Sequence, residues 1–148
     1  GPAAIRAALW SERGNMACEA GLEIGPDIAL ADDGDLPLTE DTAADDAAIA
    51  RHVALVQSGG EVPFALGGDH AVSFPLVAAA AARHGPVNIL HIDAHSDLYD
   101  TLGGNRRSHA SPFARIMEGG HAARLVQVGI RTLNRHCREQ AERFGVEI

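Results

Sequence analysis

Apolar positions along the chain switch between helical spacing and short extended runs, which predicts helices and strands in alternation. Ala3 to Trp10 has helical character, with Pro2 near its start. Residues 11–35 are rich in Gly, Asp and Asn and read as loop, with a short strand around Ile28 to Ala31. Thr42 to Ser58 reads as a helix, because Ala48, Ile49, His52, Val53 and Val56 recur at i, i+3, i+4 spacing. Asp41 or Thr42 caps it and Gly59-Gly60 ends it. Val62 to Leu66 is apolar enough for a short strand, followed by a Gly67-Gly68-Asp69-His70 turn and a helix from Val72 to His84. A strand enters Asn88–Leu98, and residues 97–108 form a polar loop long enough to cover a site. Ser111 to Glu118 reads as helix, Arg124 to Ile130 as buried strand, Asn134 to Phe144 as amphipathic helix, and Val146 to Ile148 as a strand beginning. This alternation argues for an α/β fold with a mainly parallel sheet between helical layers.

Polar residues interrupt this pattern at two strand ends. Val87, Ile89, Leu90 and Ile92 suit a buried parallel strand, whose chemistry gathers at its C-terminal end. There stand Asp93, His95 and Asp97, at i, i+2 and i+4, which share one face of an extended chain. Two carboxylates and an imidazole in one place call for a divalent cation as partner. The competing reading has His95 cap a helix while the aspartates start a turn. Gly67-Gly68-Asp69-His70 adds a second imidazole after another strand end, although Asp69 capping a helix beside a half-buried His70 explains that turn equally well. A donor set of nitrogen and hard oxygen without thiolate favours Mn²⁺, with Fe²⁺, Co²⁺ or Zn²⁺ as the alternatives.

Composition narrows the partners. The 148 residues allow one domain with a core; 46% are hydrophobic but only 4% aromatic, so that core is aliphatic and closely packed. The net charge is −8 and all 12 basic residues are arginine, with no basic cluster to hold nucleic acid or an anionic membrane. An acidic chain suits a cationic substrate. Cys18 and Cys137 match no metal or redox spacing and read as incidental thiols of a reducing compartment, here the cytoplasm.

Leu66-Gly-Gly-Asp-His70 and His91-Ile-Asp-Ala-His-Ser-Asp97 resemble the first two signature motifs of the ureohydrolases, the family of arginase and agmatinase. Gly1 to Arg6, Gly34 to Pro37, Ser108 to Phe113 and Val126-Gln-Val-Gly-Ile-Arg131 agree with it, and Ser108 to Gly120 resembles its plant-type arginase and agmatinase-like branch. The resemblance implies a three-layer α/β/α sandwich with two Mn²⁺ at the C-terminal sheet edge, hydrolysing a guanidino group to urea. By the same resemblance His70 and Asp97 bind one metal, His95 the other, and Asp93 bridges them. A hydroxide between the metals attacks the guanidinium carbon, Asp97 orients it, and His109 carries a proton to the leaving amine. His91 is expected in the core or behind the ligands, and Asp69 in the turn or behind the ligands.

The family's third motif, Ser-x-Asp-x-Asp, is not found in this sequence, so residues 1–148 are expected to be a single domain incomplete at both ends. Two Mn²⁺ bring four positive charges, to which Asp93 and Asp97 return two. One weak metal site and little activity are therefore expected of the chain alone. Tyr99 stands where animal-type arginases hold the substrate carboxylate with Asn. Agmatinases often carry Tyr there, as does the plant-type arginase branch, so agmatine (to putrescine and urea) is the expected substrate with arginine (to ornithine and urea) close behind. Arg106 and Arg107 either attract a carboxylate or are solvated. Formiminoglutamate or guanidino-acid hydrolysis is a further option, and a non-catalytic member of the fold is the different class. The family implies trimers or hexamers of the full-length protein.

Overall fold

The computed structural model describes residues 1–39 and 41–148. The backbone falls into two compact units, residues 1–37 with 65–68, and residues 38–64 with 69–148.

The first unit contains α1 (Pro2–Leu9), with proline in its first turn and no buried residue. Arg6 in its last turn pairs with Asp35 at 2.6 Å and Asp32 at 3.2 Å. The strand expected around Ile28 to Ala31 is absent: Ile28 makes a single bridge to Ile24, and residues 29–31 have no regular structure. The reason is local. Asp27 accepts a hydrogen bond from the Glu23 backbone at 2.9 Å, closing a turn where a ladder would need a second strand.

In the second unit α2 (Thr42–Ser58) starts at Asp41, whose carboxylate accepts from the Ala43 and Ala44 backbone N–H groups. Ile49, Val53 and Gln57, four residues apart, form its buried stripe. Residues 61–64 form no strand, with Val62 90% and Phe64 80% exposed. Apolar composition alone does not make a strand, and among the described residues none lies beside these to complete a ladder.

A single turn of 3₁₀ helix (His70–Val72) leads into α3 (Ser73–His84), which packs against α2, against α4 (Pro112–Glu118) and against β1 (Val87–Ile92). The strand β1 pairs in parallel with β2 (Ala122–Val128), in a register running from Asn88 opposite Arg124 to Ile92 opposite Val128. After α5 (Arg135–Phe144), capped by Asn134 and closed by left-handed Gly145, Glu147 adds a parallel bridge to Val126. The expected parallel α/β architecture is thus present.

The core lies where the helices meet the sheet: Leu98, Phe113, Ile116, Leu125 and Ala141 are buried, with Phe74, Val77 and Ile89 packed on them. Only one face of β1 is covered in this chain. Leu90 is 65% and Ile92 74% exposed, against the sequence-based expectation of a strand buried on both faces. Among the described residues no helix is long and apolar enough to cross a membrane.

The strand β2 ends two residues earlier than its apolar run, because Gly129 adopts φ +89°. A Cβ built there would lie 3.3 Å from the Asp93 carbonyl oxygen. Gly129→Ala combines this tight approach with a conformation that L-residues avoid. Its expected cost is about 1–3 kcal/mol of stability in urea unfolding. A loss under about 0.5 kcal/mol, the range of ordinary surface substitutions, would contradict that account.

Candidate metal centre

Strand alternation places His91 and Asp93 on the covered side of β1 at its C-terminal end, and the Asp93 N–H still donates to Val128 O at 3.1 Å. Beyond Asp93 the chain leaves the ladder. Ala94 O accepts from the Arg131 backbone at 2.8 Å, and Asp97 turns into the left-handed region at φ +49°. Such a conformation at a non-glycine residue persists only where its surroundings hold it. Here Asp97 O accepts from the Phe113 N–H at 3.3 Å, and Tyr99 N–H donates to Ala110 O at 3.0 Å. Ser108 and Ser111 share a buried hydrogen bond at 2.8 Å. These contacts fold the loop back onto the strand end and aim the Asp97 carboxylate at His70.

The His70 Nδ1 donates to Asp97 Oδ2 at 2.6 Å, with only 11% of the Asp97 side chain exposed. His70 reaches this point from the start of the 3₁₀ turn, where Asp69 accepts from the Ala71 N–H at 2.7 Å; Asp69 is a turn residue, as expected. Ligand atoms of His70, His91, Asp93 and Asp97 all lie within 4.8 Å of one another. The Phe113 ring walls the cluster, 4.2 Å from the His91 ring and 5.6 Å from that of His70.

The membership of this cluster differs from the ligand set read from the sequence. His70, Asp93 and Asp97 come together, but His95 is 65% exposed and outside it, while His91 lies inside. The i, i+2, i+4 argument assumed an extended chain through Asp97; β1 ends at Ile92, so alternation no longer governs His95. His95 nevertheless touches Asp93. Its backbone N–H donates to Asp93 Oδ1 at 2.8 Å, and its Nδ1 is 3.3 Å from the same oxygen. The other Asp93 oxygen, Oδ2, faces His91 Nε2 at 3.7 Å. Asp93 therefore belongs to the cluster through one oxygen and touches His95 through the other. His109 is exposed on the loop, outside the cluster.

Charges in the cluster are mutually adjusted. The hydrogen bond to Asp97 raises the His70 pKa above the ordinary imidazole value, outweighing burial. The backbone N–H of His95 holds the Asp93 carboxyl below the usual range, and burial pushes His91 down. Burial also raises the Cys137 thiol, keeping it protonated and inert.

This arrangement fits a divalent cation. Asp93 and Asp97 supply the two negative charges that one such ion needs, and the His70 imidazole adds a nitrogen donor. An ion taken up here displaces the proton on His70, so Mn²⁺ affinity is expected to rise with pH. The rise, up to about tenfold per pH unit for one proton, should continue above the ordinary imidazole value of about 6.5 and level once His70 is neutral. Equilibrium dialysis across this range checks it; an affinity independent of pH would contradict it.

Two arginines have roles that the sequence reading missed. The Arg107 Nε donates to Asp46 at 2.9 Å, its guanidinium donates to Ala71 O at 3.3 Å, and it lies 4.5 Å over the Phe74 ring. It ties α2 to the turn carrying His70. Arg106 pairs with Asp100 at 2.7 Å and Glu118 at 2.8 Å, and buried Arg115 meets the same two acids. Arg106 and Arg107 are thus engaged within the fold, in place of the free carboxylate-attracting role weighed for them. Spacing gave no signal of this, because the partners lie on separate segments, from six residues away (Asp100) to sixty-one (Asp46).

Carboxylates and imidazoles gathered at the C-terminal edge of a parallel sheet, behind a folded-back loop, form a candidate site for a divalent cation. A family model described as Arginase family matches residues 1–148, and the chain belongs to that family. It is 49% identical over 154 residues to "Arginase 1, mitochondrial" of Arabidopsis thaliana, covering 99% of this chain and 45% of that protein. "Agmatinase, mitochondrial" of Gallus gallus is 42% identical over 78 residues, 51% of this chain and 23% of that protein. Among solved structures, arginase from Medicago truncatula superposes with a TM-score of 0.92 at 42% identity, covering 99% of this chain and 49% of that one. The chain spans about half the length of the curated relatives it matches along its whole extent. The cytoplasmic expectation is overturned: plant arginases that match 99% of the chain are named mitochondrial or chloroplastic/mitochondrial.

Proposed function

We propose that this chain forms the first metal-binding half of a Mn²⁺-dependent hydrolase that cleaves the guanidino group of arginine, giving ornithine and urea. The observation that carries the reading is the match to arginases along 99% of the chain, reinforced by the His70, Asp93 and Asp97 cluster. The agmatine preference drawn from Tyr99 gives way, since the agmatinase match extends over only 51% of the chain. Tyr99 is engaged inside the fold: its hydroxyl accepts from the Asn134 side chain and its ring lies 5.6 Å from that of His136.

In this reading Asp93, Asp97 and His70 hold the metal in the buried cluster, and His95 with Asp93 holds the second. Bound Mn²⁺ supplies Lewis acidity and makes water a nucleophile near neutral pH. Asp97, fixed by the backbone bond from Phe113, orients the attacking water, and His109 on the loop passes a proton to the departing amine.

The test is urea release by the Mn²⁺-loaded protein, extended to the length of these relatives, from arginine, agmatine and guanidino acids, with formiminoglutamate followed by its own product. Arginine is expected to give the highest kcat/KM. A higher value for agmatine or another substrate, or activity that persists without the metal, would overturn the proposal.

A further inference from the structure

The cluster contains a group that its composition does not explain. His91 is buried among the ligands, yet its Nε2 has no hydrogen-bond partner, and buried groups of this kind are rarely left so. The explanation begins on the neighbouring strand. Register sets Gln127 directly opposite His91, and Gln127 is 2% exposed. Its Nε2 donates to the Ser96 carbonyl at 2.7 Å and lies 3.1 Å from His91 Nδ1.

These two distances fix the orientation of the amide. Turning it over would set Gln127 Oε1 against the Ser96 carbonyl oxygen, two acceptors in contact. The nitrogen therefore stays, with one hydrogen on Ser96 O and the other directed at His91 Nδ1. A ring nitrogen that faces a donor must accept, so Nδ1 carries no proton. The ring proton then resides on Nε2, 3.7 Å from Asp93 Oδ2.

We infer that Gln127 locks His91 as an Nε2–H donor directed at Asp93, so that His91 orients the Asp93 carboxylate and is barred from binding the metal itself. A nitrogen that keeps its proton has no lone pair for a cation. Gln127 and His91 are thus positioning residues acting through Asp93, and such partners of metal ligands are known to set affinity. The consequence for metal binding rests on the proposed cation site; the tautomer does not, and it can be read with no metal present.

In the protein labelled with ¹⁵N-histidine, long-range ¹⁵N–¹H spectra are expected to show the Nε2–H form of His91, assigned by its loss in His91→Phe. The proton is expected to stay on Nε2 when Zn²⁺, a diamagnetic substitute, is added. An Nδ1–H form, or loss of the Nε2 proton on adding Zn²⁺, would overturn the inference. Gln127→Met is expected to remove the tautomer preference and weaken Mn²⁺ binding about tenfold. In the His91→Phe background the same change should alter affinity by less than about twofold. An equal fall in both backgrounds would assign Gln127 to packing alone and reject the relay.

Discussion

Asp93→Asn is expected to weaken Mn²⁺ binding by more than about 100-fold, beyond the 10–100-fold range of residues that only orient ligands. The substitution keeps the shape of the side chain and leaves an oxygen able to accept the His95 N–H, so the turn after β1 is retained. It removes one of the two charges that neutralise the ion. It also sets an amide hydrogen where Oδ2 faces His91 Nε2, opposing the donor there. On the usual conversion this is about 2.8 kcal/mol or more of binding energy. Equilibrium dialysis measures it, with thermal unfolding of the metal-free protein as control. A loss below about tenfold with intact folding would remove Asp93 from the centre of the site.

The second large effect is structural. Leu125→Ala is expected to cost about 2–5 kcal/mol in urea unfolding, with the m-value unchanged. Leu125 is fully buried in β2, against the cluster of Leu98, Phe113, Ile116 and Ala141. Neighbours on three other segments cannot all close the space its truncation leaves. Set against the 5–15 kcal/mol typical of a whole domain, this is a large share. Because Leu125 and Gln127 share the buried side of β2, the loss should also loosen the strand that presents Gln127 to His91. A cost below about 1 kcal/mol would mean that the core collapses readily around the gap.

Helices were legible in the sequence wherever spacing and end signals agreed. Thr42–Ser58 begins at its Asp41 cap and ends at Gly59-Gly60 as read, and Asn134 caps the last helix. Strands were less legible, because a strand exists only with a neighbour. Val62 to Leu66 has the composition of one and no ladder, whereas Val87–Ile92 and Ala122–Val128 find each other across a helix. The end of β2 depended on a single backbone conformation, that of Gly129, which apolar spacing does not reveal.

In the site, the Asp93, Asp97 and His70 cluster was visible as two motifs, of which only the one carrying Asp93 and Asp97 follows a strand end. What alternation could not show was the exit of the chain from the sheet after Ile92, and with it the exposure of His95. The pairing of His91 with Gln127 was hidden for another reason. Both residues lie within stretches noted for their resemblance to the family, but only the register of two parallel strands puts them face to face. Arg106 and Arg107 show the same limit, since the acids that hold them, Asp46, Asp100 and Glu118, come from three different segments.

The measurement closest to the central claim is a Mn²⁺ titration of the purified chain and of its Asp93→Asn and Asp97→Asn variants, counting bound metal by equilibrium dialysis. The account predicts one weak site in the parent chain, lost in both variants and unchanged in His84→Ala. Absence of any saturable site, or a site that survives both aspartate substitutions, would contradict it.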